Sequence, residues 1–168
     1  SFINRYTECW VPDYEENGIA GKLSHPIHPP KTPLKYIGPL SRLKKKKSKK
    51  ELDIFVALSG PEPQRTIFEK ILAPQIKKSG LKSVFVRGLP SEIKTSYTDN
   101  DHFKMYNHLP SAQFNEMMQK AEMVICRSGY SSVMDLIVLG QKAILVPTPG
   151  QTEQEYLAAY LQEKKLFI

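Results

Sequence analysis

"CRSGYSSVMDLIVLGQKAILVPTPGQTEQ", Cys126–Gln154, decides how this 168-residue chain folds. An apolar run, "EMVIC", ends at Cys126 and gives way to Arg127-Ser128-Gly129. A helix-period segment follows and stops at Gly140, where a glycine suits a helix end. Next come a second apolar run, "KAILVP", and a loop of Pro, Thr, Gly and Gln that opens another helical pattern, "EQEYLAAYLQEKK". Polar residues gather at the exit of each strand. Apolar strands without alternation, separated by helices, belong to a parallel sheet covered on both faces.

The same rhythm extends upstream. "LDIFVALSG" predicts a strand that closes at Ser59-Gly60. "PEPQRTIFEKILAPQIKKSG" predicts a helix with Ile67, Ile71 and Leu72 on its apolar face and Gly80 as its cap. "LKSVFVRG" is a second strand, residues 90–107 are polar and irregular, and "SAQFNEMMQKA" is a helix with Phe114, Met117, Met118 and Ala121 on one side. Ser131 or Ser132 is the expected cap of the helix that ends at Gly140. The expected fold is α/β: a Rossmann-like parallel sheet with helices on both faces. Such sheets bind ligands outside the carboxyl ends of their strands, where helix N-termini also point.

The remainder reads as approach and connection. A short strand is expected around Glu8 to Val11, and five prolines between His25 and Arg42 forbid helix there. A run of six lysines from Lys44 to Lys50 accounts for most of the net charge of +7, leaving +1 for everything else. The run reads as a solvated linker, with nucleic acid or anionic lipid as alternatives; no aromatic residues interleave to stack on bases. The chain opens without Met and reads as a piece of something longer. The expected division is residues 1–24 as the tail of an amino-terminal domain, 25–50 as a Pro- and Lys-rich interdomain linker, and 51–168 as the ligand-binding domain. A composition of 40% hydrophobic and 24% charged residues is that of a globular domain, and no apolar run approaches the roughly 20 residues of a membrane span. Cys9 and Cys126 form no disulfide framework and read as reduced core thiols, which favours a cytoplasmic setting.

Chemistry concentrates at three strand exits. At Ser59-Gly60 a glycine lets backbone approach a ligand, the following helix offers amides to an anion, and Gln64 and Arg65 are within reach, Arg65 suiting a phosphate. A plain tight turn is the competing reading. At Arg127, Ser128, Gly129, Tyr130, Ser131 and Ser132, small residues at a helix start form a second anion cradle. Asp135 lies one turn inside that helix, where a carboxylate can take two sugar hydroxyls or merely favour the helix dipole. In the third exit, Glu153, Gln154 and Glu155 open the last helix from a loop stiffened by Pro147 and Pro149. Neither the dinucleotide nor the P-loop glycine pattern is present. Asp99 and Asp101 in "TDNDH" read as a polar loop rather than a metal site, so neither metal nor cofactor is expected. His25, His28, His102 and His108 follow no catalytic spacing, no GxSxG elbow exists, and Cys126 has no evident histidine partner.

Arg127-Ser128-Gly129, Asp135, Gly140, Val146-Pro147 and Gln154 in this order and spacing resemble the carboxy-terminal domain of GT-B glycosyltransferases, closest to the family that adds N-acetylglucosamine to a lipid-linked sugar and to related UDP-glycosyltransferases. The similarity is strong over residues 107–168 and weaker back to Leu52. It implies one domain of a GT-B fold that binds a nucleotide-sugar, UDP-linked, for an inverting, metal-independent hexosyl transfer to an unknown acceptor. It implies that Asp135, where the family has Glu, holds ribose hydroxyls. Ser59, Gly60 and the turn from Ser128 to Ser132 would hold the diphosphate; Leu109 and Pro110 would read the uracil edge; Gln154, with Glu153 or Glu155, would hold the sugar. It places the catalytic base in the amino-terminal domain, so residues 1–168 alone should be inactive. It also implies a cell-envelope role, at the inner face of the membrane, with a weak anionic-membrane contact through Lys44–Lys50 and no nucleic-acid partner. A UDP-sugar hydrolase or epimerase on the same scaffold, and a non-catalytic nucleotide-binding module, remain alternatives.

Overall fold

The computed structural model describes residues 2–91, 96–98 and 101–168. In chain order its strands and α-helices are β1 (Cys9–Val11), β2 (Leu34–Tyr36), β3 (Leu52–Ala57), α1 (Gln64–Ser79), β4 (Ser83–Val86), β5 (Ser96–Thr98), β6 (Phe103–Tyr106), α2 (Ser111–Lys120), β7 (Ala121–Cys126), α3 (Tyr130–Leu139), β8 (Ala143–Leu145) and α4 (Thr152–Glu163). Six strands form one sheet in the order β5-β6-β4-β3-β7-β8. All its pairings are parallel except β5 with β6 at one edge. The chain runs from β3 outward through β4 to β6, then returns to the other side of β3 as β7. That reversal puts a switch point at the carboxyl ends of β3 and β7, where a parallel sheet opens a crevice.

The apolar runs explain the two-sided core. Phe55, Val84, Val124 and Cys126 pack with Met118 of α2, Val133, Met134 and Leu136 of α3, and Leu157 and Leu161 of α4. Val56, Phe85, Phe103 and Ile125 face the other way onto Phe68 and Ile76 of α1. Phe55, Phe85, Met134 and Leu136 are wholly buried, and full burial of such a side chain contributes about 1.5–3 kcal/mol. The parallel α/β sheet covered on both faces is therefore present.

Several expectations change in detail. Ile67 and Ile71 of α1 are 45% and 57% exposed, and the buried face runs through Phe68 and Ile76. The spacing identified a helix but set its inner face one position off. Two strands, β5 and β6, occupy a region expected to be irregular. They run three and four residues, too short for a period to show. β2 lies inside the proline-rich connector and pairs with β1 in a separate two-stranded parallel sheet. Helix α3 begins at Tyr130 with Gly129 as its N-cap and no side-chain cap, so Ser131 and Ser132 sit inside its first turn. Gly80 and Gly140 do close α1 and α3 in left-handed conformations. Cys126 is buried, and burial followed by the nearby Asp135 charge pushes its thiol up to about 12; Cys9 is only half-buried.

The segment before β3 is fastened to the sheet domain. Asp13 is wholly buried and accepts hydrogen bonds from the amides of Tyr14, Ile19 and Ala20 and from Ser24 Oγ. Ile19 and Ala20 enter the main core. Tyr130 of α3 donates to the Pro12 carbonyl at 2.7 Å, and Tyr160 of α4 donates to the Gly18 carbonyl at 3.2 Å. The residues of the lysine run are exposed, while its backbone and the Lys50 ammonium are tied down. The Lys44 carbonyl accepts from Asn115 Nδ2 and Gln119 Nε2, and the Lys46 amide donates to Gln119 Oε1. Lys50 Nζ donates to the Ala121 carbonyl and Gln141 Oε1. This run is thus a solvated face over an anchored backbone, because Asn115 and Gln119 are buried on α2 and need partners.

Candidate functional site

A cavity of about 700 Å³ opens at the switch point, within the usual range of small-molecule sites. Ser59 beyond β3, Gly88 beyond β4, His108 and Leu109 beyond β6, Cys126 at the end of β7, and Ser131, Ser132 and Asp135 of α3 all line it. Gly88 has φ +74°, and a Cβ there would stand 2.5 Å from the Leu58 carbonyl oxygen. Only glycine allows the β3 and β4 exits to lie this close. Gly60 has φ +108° with open space where a Cβ would be, so its backbone is approachable. Leu109 is buried in the wall while Pro110 caps α2 at the surface.

A second cavity of about 550 Å³ is lined by Gly129, Tyr130, Glu153, Gln154, Gly150 and Leu23, among others. The two cavities therefore flank one feature, the start of α3: Gly129 and Tyr130 face one, Ser131 and Ser132 the other. Its N-cap glycine is extended, no side chain caps it and no acidic residue lies in its first turn. First-turn amides of a helix have no acceptor within the helix, and the macrodipole adds positive potential there. The start of α3 is a ready donor array for an anion.

Other expected site residues are committed elsewhere. Arg65 is 5% exposed; its Nε meets Glu62 Oε1 and its Nη1 meets Glu69 Oε2, both at 2.6 Å. Arg87 shares Glu69 at 2.7 Å. Arg65, expected to suit a phosphate, has its guanidinium engaged by these carboxylates, as a buried guanidinium must be paired. Arg127, 4% exposed, lies over the Phe68 ring at 4.2 Å and donates to the carbonyls of Val146, Pro147 and Gln64. Burial pulls its pKa down from the usual arginine value. It ties the exit of β7 to the loop after β8 and to the start of α1. Among the described residues, its Nε and Thr148 Oγ1 are buried and meet no hydrogen-bond partner.

Ser128 is buried and donates to the Gln154 carbonyl at 2.8 Å, and the Tyr130 hydroxyl is taken by Pro12. Burial, then the Asp13 charge, pushes Tyr130 up to about 12. Gln154 Oε1 accepts the Thr148 amide at 3.0 Å, its Nε2 meets Gln151 Oε1, and Glu155 accepts the Gly150 amide. Gln154 and Glu155 thus shape the loop before α4, while Glu153 stays exposed at the second cavity. Of the loop expected to be polar and metal-free, Asp101 is exposed and Asp99 lies outside the described residues. Of the histidines, only His108 lines the first cavity; His25 stacks on Tyr36.

The sequence reading missed one wall of the first cavity. Leu40, Ser41 and Arg42 close its side, with Ser41 hydrogen-bonded to Asp135 and the Arg42 guanidinium 6.0 Å from the Phe114 ring centre. These residues lie in the Pro-rich connector, and nothing in their local pattern signals a distant pocket.

Comparison with known proteins gives a consistent picture. The family model described as glycosyltransferase family 28 C-terminal domain matches residues 75–167, more than half of the chain. Curated relatives carry the name UDP-N-acetylglucosamine--N-acetylmuramyl-(pentapeptide) pyrophosphoryl-undecaprenol N-acetylglucosamine transferase. The protein of that name from Rhizobium meliloti (strain 1021) is 33% identical over 82 residues, 48% of this chain and 18% of the relative. The one from Methylobacterium sp. (strain 4-46) is 49% identical over 41 residues, 24% of this chain and 11% of the relative. The one from Desulforudis audaxviator (strain MP104C) is 46% identical over 50 residues, 29% and 13% respectively. The chain thus matches under a fifth of the length of these relatives.

Proposed function

The chain belongs to the glycosyltransferase family 28 C-terminal domain, and from that premise we propose that residues 51–168 are the donor-binding domain of a UDP-sugar glycosyltransferase. Residues 25–50 would then connect it to an amino-terminal domain whose tail is residues 1–24. The observation that carries the reading is the uncapped start of α3 between two cavities. A nucleotide-sugar has matching parts: a nucleoside, a doubly charged bridge and a polar sugar. The nucleoside enters the first cavity, its ribose hydroxyls meeting Asp135 and its base edge meeting the backbone at Leu109. Diphosphate oxygens take the α3 amides and the exposed backbone at Ser59 and Gly60. The sugar lies in the second cavity beside Glu153 and the loop shaped by Gln154.

Chemistry follows from that placement. When the bond from sugar to diphosphate breaks, negative charge grows on the leaving oxygens. Fixed amides and the positive end of α3 stabilise it at the moment it forms, without reorganising. An acceptor hydroxyl attacks from the opposite face with inversion, and its proton goes to a base supplied by the amino-terminal domain. The names of the relatives specify an acceptor on pyrophosphoryl-undecaprenol; a lipid-linked sugar is the acceptor class proposed for this protein. Among the described residues no helix is long and apolar enough to cross a membrane.

NMR titration of the folded protein with UDP, GDP, TDP and their common sugars tests this. UDP should shift amides of Ser59, Gly60 and residues 129–132, and UDP-sugars should add shifts around Glu153. Asp135→Ala should weaken UDP by about 1–3 kcal/mol. Shifts confined to other surfaces, or a GDP preference, would overturn the assignment.

A further inference from the structure

Among the described residues, one side-chain hydrogen bond joins the wall formed by residues 40–43 to the site. Ser41 Oγ donates to Asp135 Oδ1, and Ser41 Oγ in turn accepts the Leu43 amide at 2.9 Å. The hydroxyl's one proton has two acceptors in reach, Asp135 Oδ1 and, at 3.4 Å, the Leu43 carbonyl, and the much shorter contact to a charged oxygen takes it. The Leu43 side chain is 3% exposed and lies in the main core. One residue on, Asn115 and Gln119 hold the Lys44 carbonyl at 3.0 and 3.1 Å. Ser41 is therefore held from behind, and it holds Asp135 in turn.

We infer that Ser41 is a positioning residue of the donor site, fixing the Asp135 carboxylate so that its second oxygen faces the cavity. The inference rests on the reading that Asp135 meets ribose hydroxyls. A carboxylate has about four acceptor directions over two oxygens, so one neutral hydroxyl occupies part of it and leaves the charge intact. A lysine or arginine in the same place would neutralise the group that the ribose needs. Aspartate is short and stands on a helix, so its carboxylate reaches the cavity in few rotamers. A donor on Oδ1 selects among them before ligand arrives. The connector is then a wall of the nucleotide pocket as well as a tether. Its conformation and the occupancy of the site depend on the same carboxylate.

The experiment compares Ser41→Ala, Ser41→Thr, Asp135→Ala and the double variant Ser41→Ala/Asp135→Ala by calorimetry with UDP and 2′-deoxy-UDP, after thermal melts show each is folded. Wild type should prefer UDP. Ser41→Ala should lose about tenfold in UDP affinity and most of the preference for the 2′-hydroxyl. Ser41→Thr, which keeps the hydroxyl, should retain both. The double variant should bind no worse than Asp135→Ala, since the effect of Ser41 passes through Asp135. The inference is overturned if Ser41→Ala keeps the UDP affinity and 2′-hydroxyl preference of wild type, or if the two losses add. Wild type and Asp135→Ala binding UDP equally would overturn the ribose reading on which it rests, and a wild type blind to every uridine nucleotide would remove the donor site altogether.

Discussion

Helix α1 starts beyond β3 with the Glu62 carboxylate on the Thr66 amide, whereas α3 starts beyond β7 with no side chain on its first turn. Both follow a strand, a serine and a glycine, and both were expected to cradle phosphate. At α1 the chain supplies its own anion and then neutralises it with Arg65, which Glu69 and Arg87 tie to the rim. At α3 the donors stay open between two cavities. A helix N-terminus is thus an anion site only where the protein leaves it unfilled. The α1 end is occupied by its own ion-pair network, and the α3 end stays open.

The largest effect should come from removing the centre of the α1 network. Glu69→Ala leaves two guanidinium groups short of their shared carboxylate and should cost about 3 kcal/mol in urea unfolding, at the low end for a buried pair because Arg87 reaches solvent. Unchanged stability would mean that the network does not hold that rim. Next, Ser131→Asp would make α3 resemble α1. A carboxylate beside the phosphate path should weaken UDP by about 2 kcal/mol, some thirtyfold, without lowering the melting temperature, since an acidic group suits a helix start. Affinity equal to wild type in calorimetry would place the diphosphate elsewhere.

Of the Asp135→Ala variant the same contrast predicts a loss for UDP but not for inorganic pyrophosphate, which has no ribose. Asp13 tests what steadies the α3 side, through the segment whose Pro12 carbonyl takes Tyr130. Burial opposes its ionisation, but Ser24 and the amides of Ala20, Ile19 and Tyr14 outweigh that and hold its pKa below the ordinary aspartate value. The stabilisation is complete above about pH 4, the unfolded value, and disappears as pH falls through the lower folded value. Asp13→Asn should cost about 1–2 kcal/mol near neutral pH, and its gap from wild type should close in acid; a gap independent of pH would refute the carboxylate's role. The smallest change is Glu62→Gln. The Thr66 hydroxyl, then Arg65 and the Thr66 amide, lower the Glu62 pKa against desolvation. The melting temperature should fall slightly at neutral pH and converge with wild type in acid, with UDP affinity intact. Tighter UDP binding in this variant would show that the α1 end also meets the phosphates.

Much of the fold was legible because its signals are local. Apolar strands such as "LDIFVA" and "AEMVIC", the helical segments between them, and glycines at 80 and 140 each report on neighbours a few residues away. β5 and β6 escaped notice because three or four residues carry no period. The inner face of α1 was misjudged because Ile67 and Ile71 are apolar yet exposed. At the site, strand exits and helix starts were legible in outline. What no local pattern shows is that Arg65, Ser128 and Gln154 already have polar atoms engaged within the chain.

By itself the sequence determined a parallel sheet, the rim that carries polar residues, and the kind of group each strand exit presents, because strand and helix patterns depend on near neighbours. Tertiary structure alone decided which helix start stays open and which carboxylate has a companion. Those outcomes depend on partners distant in the chain: Ser41 and Asp135 are 94 residues apart, Arg127 and Gln64 are 63 apart, and no local pattern records whether a side chain has met its partner.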